Sequence, residues 1–195
     1  QGAYTYSKSI DNASEGSVQN NYDLRAERSL STFDMKHNLA FGLTYQLPFR
    51  KRGVMGAFFG GWRLGTISSA RSGVPLSMGT VTNLTGSMGG ASRPNRIGDA
   101  RLSGENRGRM RWFDAGAFAL PDPYTFGNAS STEPNLRGPG EFNCDVLLAK
   151  DFRLTESARL SFRSEFNNTL NHFNPANPNT TIGDPGVGII TDGNN

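Results

Sequence analysis

The chain has 195 residues, 35% of them hydrophobic and 10% aromatic, and its mean hydropathy is −0.50. Its formal net charge of +3, from 20 basic and 17 acidic residues, is too small a bias to indicate a nucleic-acid partner. A single cysteine excludes an internal disulfide and a cysteine-rich zinc site, and no run of about 18 apolar residues predicts a transmembrane helix.

Residues 3–9 and 37–49 are the first two predicted strands. In the second, "HNLAFGLTYQLPF", every other side chain is large and apolar, and the side chains between are small or polar. Such alternation predicts a β-strand with two unlike faces. The apolar face could cover the core of a soluble sheet, or it could meet lipid in an outer-membrane barrel whose lumen receives the polar face. One strand does not separate these alternatives.

Three more strand candidates follow, and a sixth could start near Val187. They are residues 62–78, 144–154 and 159–167. The third candidate alternates less cleanly, because Trp62 and Leu64 share a parity that Ile67 does not. A β-bulge near Gly65 would reconcile them.

The fifth candidate, "RLSFRSEFN", has two clearly unlike faces. Leu160, Phe162 and Phe166 share one face, and the opposite face carries Arg163 and Glu165. A charged face of this kind suits a water-filled lumen, although it would equally suit the solvated side of a soluble sheet.

The predicted connections alternate between long and short, and this distinguishes the two alternatives. "TESA" joins the fourth and fifth strands and "RKRGVMGAFFGG" the second and third, whereas long polar segments cover residues 9–36 and 79–143. Outer-membrane barrels have short periplasmic turns and long external loops. A loop of roughly 65 residues is unusual in a compact soluble domain. Aromatic residues near the short turns match the girdle of a barrel: Tyr45, Phe49, Trp62 and Phe152.

The longest loop contains the candidate substrate-binding residues. Six arginines lie between Arg93 and Arg111, followed by the aromatic-rich segment "RWFDAGAFALPDPYTFGN". The arginines could bind an anionic ligand or lipopolysaccharide phosphates through forked hydrogen bonds, or they could form local ion pairs with acidic neighbours. The aromatic residues could stack on a substrate, or form a small core that folds the loop over the barrel mouth. The candidates are Arg93, Arg96, Arg109, Arg111, Trp112 and Tyr124.

The sequence predicts neither an enzyme nor a cofactor or metal site. Asp34 and His37 are three residues apart but have no third ligand nearby, and His172 precedes a proline-rich loop. "RSGVP" is not a nucleophile elbow, and "GSMGG" does not lie between a strand and a helix. Cys144, at the predicted start of a strand, has no histidine near it in sequence and is expected to be a packing residue.

Several blocks of the chain resemble the C-terminal barrel part of Oar-like TonB-dependent receptors of the kind common in Acidobacteria-type genomes. "YTYSKSIDNAS" and "YDLRAERSLSTFDMKHNLAFGLTYQLPF" are similar to two paired strands and their loop, and "GGWRLGTISSARSGVPLS" to the next strand. "RPNRIGD", "RWFDAGAFALPDPYTFGNAS" and "LRGPGEFNCDVLLAKDFRLTE" resemble the long loop and the strand after it. "LSFRSEFNNTLNHFNPANPNTTIGDPGVGIIT" resembles the last loop and its flanks. Together these blocks cover nearly the whole chain in order.

The resemblance implies a barrel of about 22 strands that encloses an N-terminal plug and takes up a substrate with energy from TonB. The expected fold is all-β: an antiparallel, up-and-down transmembrane β-barrel segment of about five strands with long extracellular loops. We expect residues 1–195 to be a fragment that lacks the plug and the final strand. The expected partners are outer-membrane lipid and lipopolysaccharide, the TonB complex through the plug, and an unknown substrate. The alternative is a soluble or surface-attached β-sandwich, such as an adhesin or a carbohydrate-binding module.

Overall fold

A computed structural model of the protein describes residues 1–14, 18–48, 53–88 and 91–194. Five long strands form one antiparallel sheet in which each strand pairs with the next along the chain, as in an up-and-down barrel. The edge strands, β1 and β5, are not paired with each other, so the described sheet is open. The strands are β1 (Gly2–Tyr6), β2 (His37–Gln46), β3 (Trp62–Arg71), β4 (Glu141–Arg153) and β5 (Arg159–Phe166).

All five predicted strands are confirmed, but their bounds differ from the prediction. The first two strands end at Tyr6 and Gln46, before the predicted residues 9 and 49, and the last two end at Arg153 and Phe166, one residue early. The third strand ends at Arg71, well before residue 78, and the fourth begins at Glu141. Both differences come from pairing, because β3 and β4 are in continuous register from Trp62–Lys150 to Arg71–Glu141. The bulge predicted near Gly65 is therefore wrong, and Ile67 lies on the polar face of an unbroken strand.

The predicted sixth strand is also wrong. Val187 lies in a turn, in which its N–H donates to the Asp184 carbonyl at 3.2 Å, and its side chain packs against apolar residues of the long loops. Val187, from which the sixth strand was expected to start, thus packs against the apolar cluster of the long loops. Phe49, which the sequence places in the aromatic girdle, lies outside the described residues.

The short connection between β2 and β3 contains a helix, α1 (Gly53–Phe59), that the sequence analysis did not predict. Among the described residues, no helix is both long enough and apolar enough to cross a membrane. The Lys150 ammonium group, on β4, donates to the carbonyls of Phe58, at 2.9 Å, and Gly60. Trp62 donates to the same Phe58 carbonyl at 2.9 Å, so the end of α1 is fixed to the sheet.

All the long connections leave the sheet at one end, as predicted. The described parts of these connections are together called the loop cap below. They belong to residues 7–36, 72–140 and 167–194. Residues 154–158 form a tight turn at the opposite end, where the Leu154 N–H donates to the Ala158 carbonyl at 3.0 Å. The loop cap contains a short 3₁₀ helix, Ala115–Ala117, and four two-stranded ladders. The ladders pair Ile10–Asp11 with Ser29–Leu30, Gly79–Thr80 with Thr181–Ile182, Asn95–Arg96 with Phe118–Ala119, and Asn174–Pro175 with Gly193–Asn194.

Candidate functional site: sheet faces and loop cap

One face of the five-stranded sheet is apolar along its middle. Residues paired across antiparallel strands point to the same face, so the register sorts the side chains. Leu39, Phe41 and Leu43 are 45%, 44% and 52% exposed, so no part of the described chain covers them as a protein core would. The middle of this apolar face consists of Leu39, Phe41, Leu43, Leu64, Val146 and Leu148.

Aromatic residues flank this band at both ends. Tyr4 and Tyr6 lie on the apolar face at the loop end, and Tyr45, Trp62 and Phe152 lie on it at the short-turn end. An apolar band between two aromatic girdles is the outer surface expected of a transmembrane barrel. The predicted girdle at the short turns is confirmed for its three described members.

The opposite face is polar and concave. Arg63 forms an ion pair with Asp151 at 2.8 Å, and Ser161 donates to the same carboxylate at 2.7 Å. Arg163 and Glu165 form a second pair further along β5. An open hollow of about 590 Å³ lies over this face. Its lining includes Thr44, Gly65, Ile67, Asp145, Leu147, Arg163 and Glu165. A concave face with solvated ion pairs has the chemistry of a barrel lumen.

The loop cap has a hydrophobic core of its own. Phe113 and Phe118 meet edge to face with ring centroids 6.2 Å apart, and Trp112 packs against the same cluster. This confirms the interpretation of the aromatic segment as a small core for Trp112, Phe113 and Phe118, whereas Tyr124 and Phe126 of the same segment are exposed. The buried members are Leu76, Met78, Ala100, Phe113, Ala117, Phe118, Leu136 and Ile182.

The first loop of the cap is attached to the second by a buried ion pair. Both carboxylate oxygens of Glu27 accept from the Arg93 guanidinium, at 2.7 and 2.9 Å, and the two side chains are 1% and 6% exposed. Gln19 accepts from the Arg93 backbone N–H and donates to the Gly127 carbonyl, both at 2.9 Å. The side chain of Arg93, a predicted substrate-binding residue, is thus occupied within the cap. Among the residues that the structure describes, its Nε has no hydrogen-bond partner.

Arg96, the second candidate, binds a carboxylate inside the cap. Its guanidinium donates to one oxygen of Glu133, whose side chain is 1% exposed. The other Glu133 oxygen is buried and has no hydrogen-bond partner within the described ranges. Burial raises the pKa of Glu133, and attraction to Arg96 offsets only part of that shift. Arg96 also lies 3.9 Å from Asp99, whose pKa the side-chain and backbone N–H donors of Arg101 lower to about 2.

A third buried carboxylate, Asp34, connects three segments of the chain. It accepts from the Ser9 N–H and from the Arg137 guanidinium, which also donates to the Asp34 and Gly73 carbonyls at 2.9 and 3.1 Å. Burial acts to raise the pKa of Asp34, but the Arg137 and Ser9 hydrogen bonds outweigh it and the pKa is lowered. Asp34 therefore belongs to an ion pair with Arg137 and not to a metal pair with His37.

The remaining candidates lie nearer the surface of the cap. Arg109 lies over the Phe173 ring at 4.8 Å, and Arg111 pairs with Asp114 at 2.9 Å. Trp112 donates to the Arg137 carbonyl at 2.8 Å, and its ring is covered by the Arg107 guanidinium at 3.6 Å. Tyr124 is 85% exposed and has a positive φ of 63°. Arg109, Arg111 and Tyr124 are the candidates with exposed side chains, and their role in binding stays a prediction.

The two histidines and the cysteine considered in the sequence analysis contact neighbouring side chains of the sheet. His37 begins β2 and its Nδ1 lies 2.8 Å from the Tyr4 hydroxyl, and the His172 ring meets Phe142 edge to face. The Ser68 hydroxyl donates to the Cys144 sulfur at 3.2 Å. Within the described ranges, no three histidine, cysteine, aspartate or glutamate side chains are grouped so that they could hold a metal ion.

Comparison with known families assigns the chain to a class. A family model described as an outer membrane beta barrel domain matches residues 1–195, the whole chain. The chain therefore belongs to the outer membrane beta barrel domain family and is located in the bacterial outer membrane. Its five-stranded sheet is part of such a barrel, in preference to the β-sandwich alternative. Comparisons with curated proteins and with solved structures gave no match.

Proposed function

We propose that this chain is the barrel part of a TonB-dependent receptor that captures a substrate at the cell surface and admits it to the periplasm. The resemblance of nearly the whole chain to Oar-like receptors supports this function. The structural observation that carries it is the loop cap, which is ordered by its own core and by buried ion pairs. An ordered cap above a polar lumen can present a preformed binding surface.

In this proposal the chain acts by binding and transport and is not an enzyme. Exposed cationic and aromatic side chains of the cap, Arg109, Arg111 and Tyr124, would contact the substrate. Trp112, Arg93 and Arg96 would act indirectly, because their side chains hold the cap together. The other proposed partners are a plug inside the lumen, the TonB complex that moves it, and the outer-membrane lipids, lipopolysaccharide included.

Uptake measurements test the proposal directly. Cells with and without the gene are supplied with labelled siderophore, cobalamin, glycan or peptide, in strains that have or lack TonB. We expect accumulation of one substrate class to require both the gene and TonB, and to stop when a protonophore collapses the proton gradient. Accumulation that requires the gene but not TonB would contradict the proposal and indicate passive diffusion.

Variants of the cap then test the binding residues. We expect Arg109→Ala, Arg111→Ala and Tyr124→Ala each to weaken substrate binding while the barrel still inserts. Arg101→Gln is the matched control, since Arg101 is an exposed arginine of the same loop whose partner, Asp99, is also exposed. Equal binding by all four variants would show that the substrate is held elsewhere.

A further inference from the structure

A second hollow, of about 540 Å³, lies where β1 meets the loop cap. It is called the basic hollow here, because its described lining contains four cationic side chains and a single carboxylate, that of Asp34. The cations come from different segments and converge only in the folded chain. They are Lys8, Arg28, Lys36 and Arg137.

Internal pairing accounts for only one of these cations. Arg137 donates to the Asp34 carboxylate, which also accepts from the Ser9 N–H. The positive charge of Arg137 is therefore already balanced by Asp34. Within the part of the chain that the structure describes, Lys8, Arg28 and Lys36 form no ion pair. The hollow therefore has an excess of positive charge, which favours an anionic ligand.

The hollow also has an apolar side. Tyr6 and Ile10 line it and are 63% and 45% exposed. Tyr6 belongs to the loop-end girdle of the lipid-facing surface, so the hollow begins at the depth where hydrocarbon gives way to headgroups. A free inorganic anion would use the cations alone. A lipid phosphate would use the cations for its headgroup and the apolar side for the start of its acyl chains.

We propose that the basic hollow is a binding site for the phosphorylated sugar headgroup of an outer-leaflet glycolipid. Lys8, Lys36 and Arg28 form charge-assisted hydrogen bonds to phosphate oxygens, and Tyr6 and Ile10 contact the adjoining acyl chain. This rests on the lipid contact included in the proposed function and gives it a location. It is independent of transport, so its failure would leave the uptake proposal standing.

Lipid binding to protein purified from outer membranes in detergent tests the proposal. The probes are lipid A with its phosphates, the same lipid A after enzymatic dephosphorylation, and inorganic pyrophosphate. We expect phosphorylated lipid A to bind the unmodified protein, and the Lys8→Gln/Lys36→Gln variant to bind it about tenfold more weakly, because charged hydrogen bonds are lost. Lys8→Arg/Lys36→Arg, which keeps both charges, should retain binding.

The matched control is Arg101→Gln/Arg153→Gln, which removes two exposed cations from other parts of the protein. It should bind lipid A as the unmodified protein does, and all variants should show the heat-dependent gel mobility of a folded barrel. Equal affinity of the glutamine variant and the unmodified protein would overturn the proposal. So would equal affinity for dephosphorylated lipid A. Full displacement of lipid A by pyrophosphate at the same concentration would show that the site takes free anions and not lipid.

Discussion

Glu27→Gln is the most informative substitution in the loop cap. Glu27 binds Arg93 through both oxygens and accepts from the Asn20 N–H at 3.2 Å, and its side chain is 1% exposed. Glutamine preserves the shape but leaves the buried Arg93 charge without a counter-charge. Removing one partner of a buried ion pair costs about 3–5 kcal/mol. Because glutamine keeps one acceptor oxygen, we expect the lower value, about 3 kcal/mol, or roughly a 100-fold rise in opening of the first loop.

Hydrogen–deuterium exchange measures this opening locally while the barrel remains folded. The reporter peptides cover residues 18–34, where the buried Ser31 N–H donates to the Ser9 carbonyl at 3.0 Å. We expect exchange in Glu27→Gln to be about 100-fold faster than in the unmodified protein. Glu27→Leu/Arg93→Met should be close to the unmodified protein, because apolar residues often replace a buried pair without loss of stability.

Arg101→Gln serves as the control, because it breaks an exposed pair in the same cap and should leave exchange unchanged. Two results would refute the reasoning. Unchanged exchange in Glu27→Gln would mean that the pair does not hold the first loop. A double variant as labile as the single one would mean that lost contacts, rather than an uncompensated charge, cause the effect.

Three further predictions follow from the same structure. The folded-state pKa of Glu133 is raised above its unfolded value near 4.5, so the contribution of Glu133 to cap stability should be fully present below pH 4.5 and be lost as the pH rises through the folded pKa. Asp34, whose pKa is lowered, acts in the opposite direction below its unfolded value near 3.8, and exchange in Glu133→Gln should lack only the dependence that Glu133 causes. Lys150→Met removes the side-chain donor of the Gly60 carbonyl and leaves the Phe58 carbonyl with Trp62 as its donor. The barrel should therefore lose about 1–3 kcal/mol and unfold at lower temperature on heat-modifiability gels, unlike Arg153→Gln. Leu43→Arg should cost about 2–4 kcal/mol in lipid and reduce membrane insertion, whereas Thr44→Arg, on the polar face, should insert normally.

The strands could be predicted from the sequence because their information is local. Alternation along β2 does not depend on a partner strand, so the sequence alone predicts which side chains share a face, and the pairing confirms it. Strand ends depend on the neighbouring strand, and the start of β4 at Glu141 follows from its pairing with Arg71. Helix α1 is fixed by Lys150, which lies about 90 residues away in sequence. The local sequence of the helix therefore does not predict it.

The candidate site could be predicted less well, because the environment of each arginine depends on distant residues. The sequence treats Arg93 and Arg111 as members of one basic run. In the structure the partner of Arg93 is Glu27, 66 residues away, whereas Arg111 pairs locally with Asp114. Glu27 lies in the segment "RAER", where Arg25 and Arg28 are its neighbouring cations in sequence. Its pairing with Arg93 could not be inferred without the fold.

A spin-label scan along β2 tests the assignment of the two sheet faces most directly. Residues 39–45 are replaced one at a time by a labelled cysteine in a Cys144→Ser background, and the protein is inserted into a bilayer. We predict a period of two residues: labels at Leu39, Phe41 and Leu43 are accessible to oxygen dissolved in the lipid, and labels at Ala40, Gly42 and Thr44 to a water-soluble nickel chelate. Labels at Leu39, Phe41 and Leu43 that neither reagent reaches would mean that this face packs against protein, which would contradict the barrel.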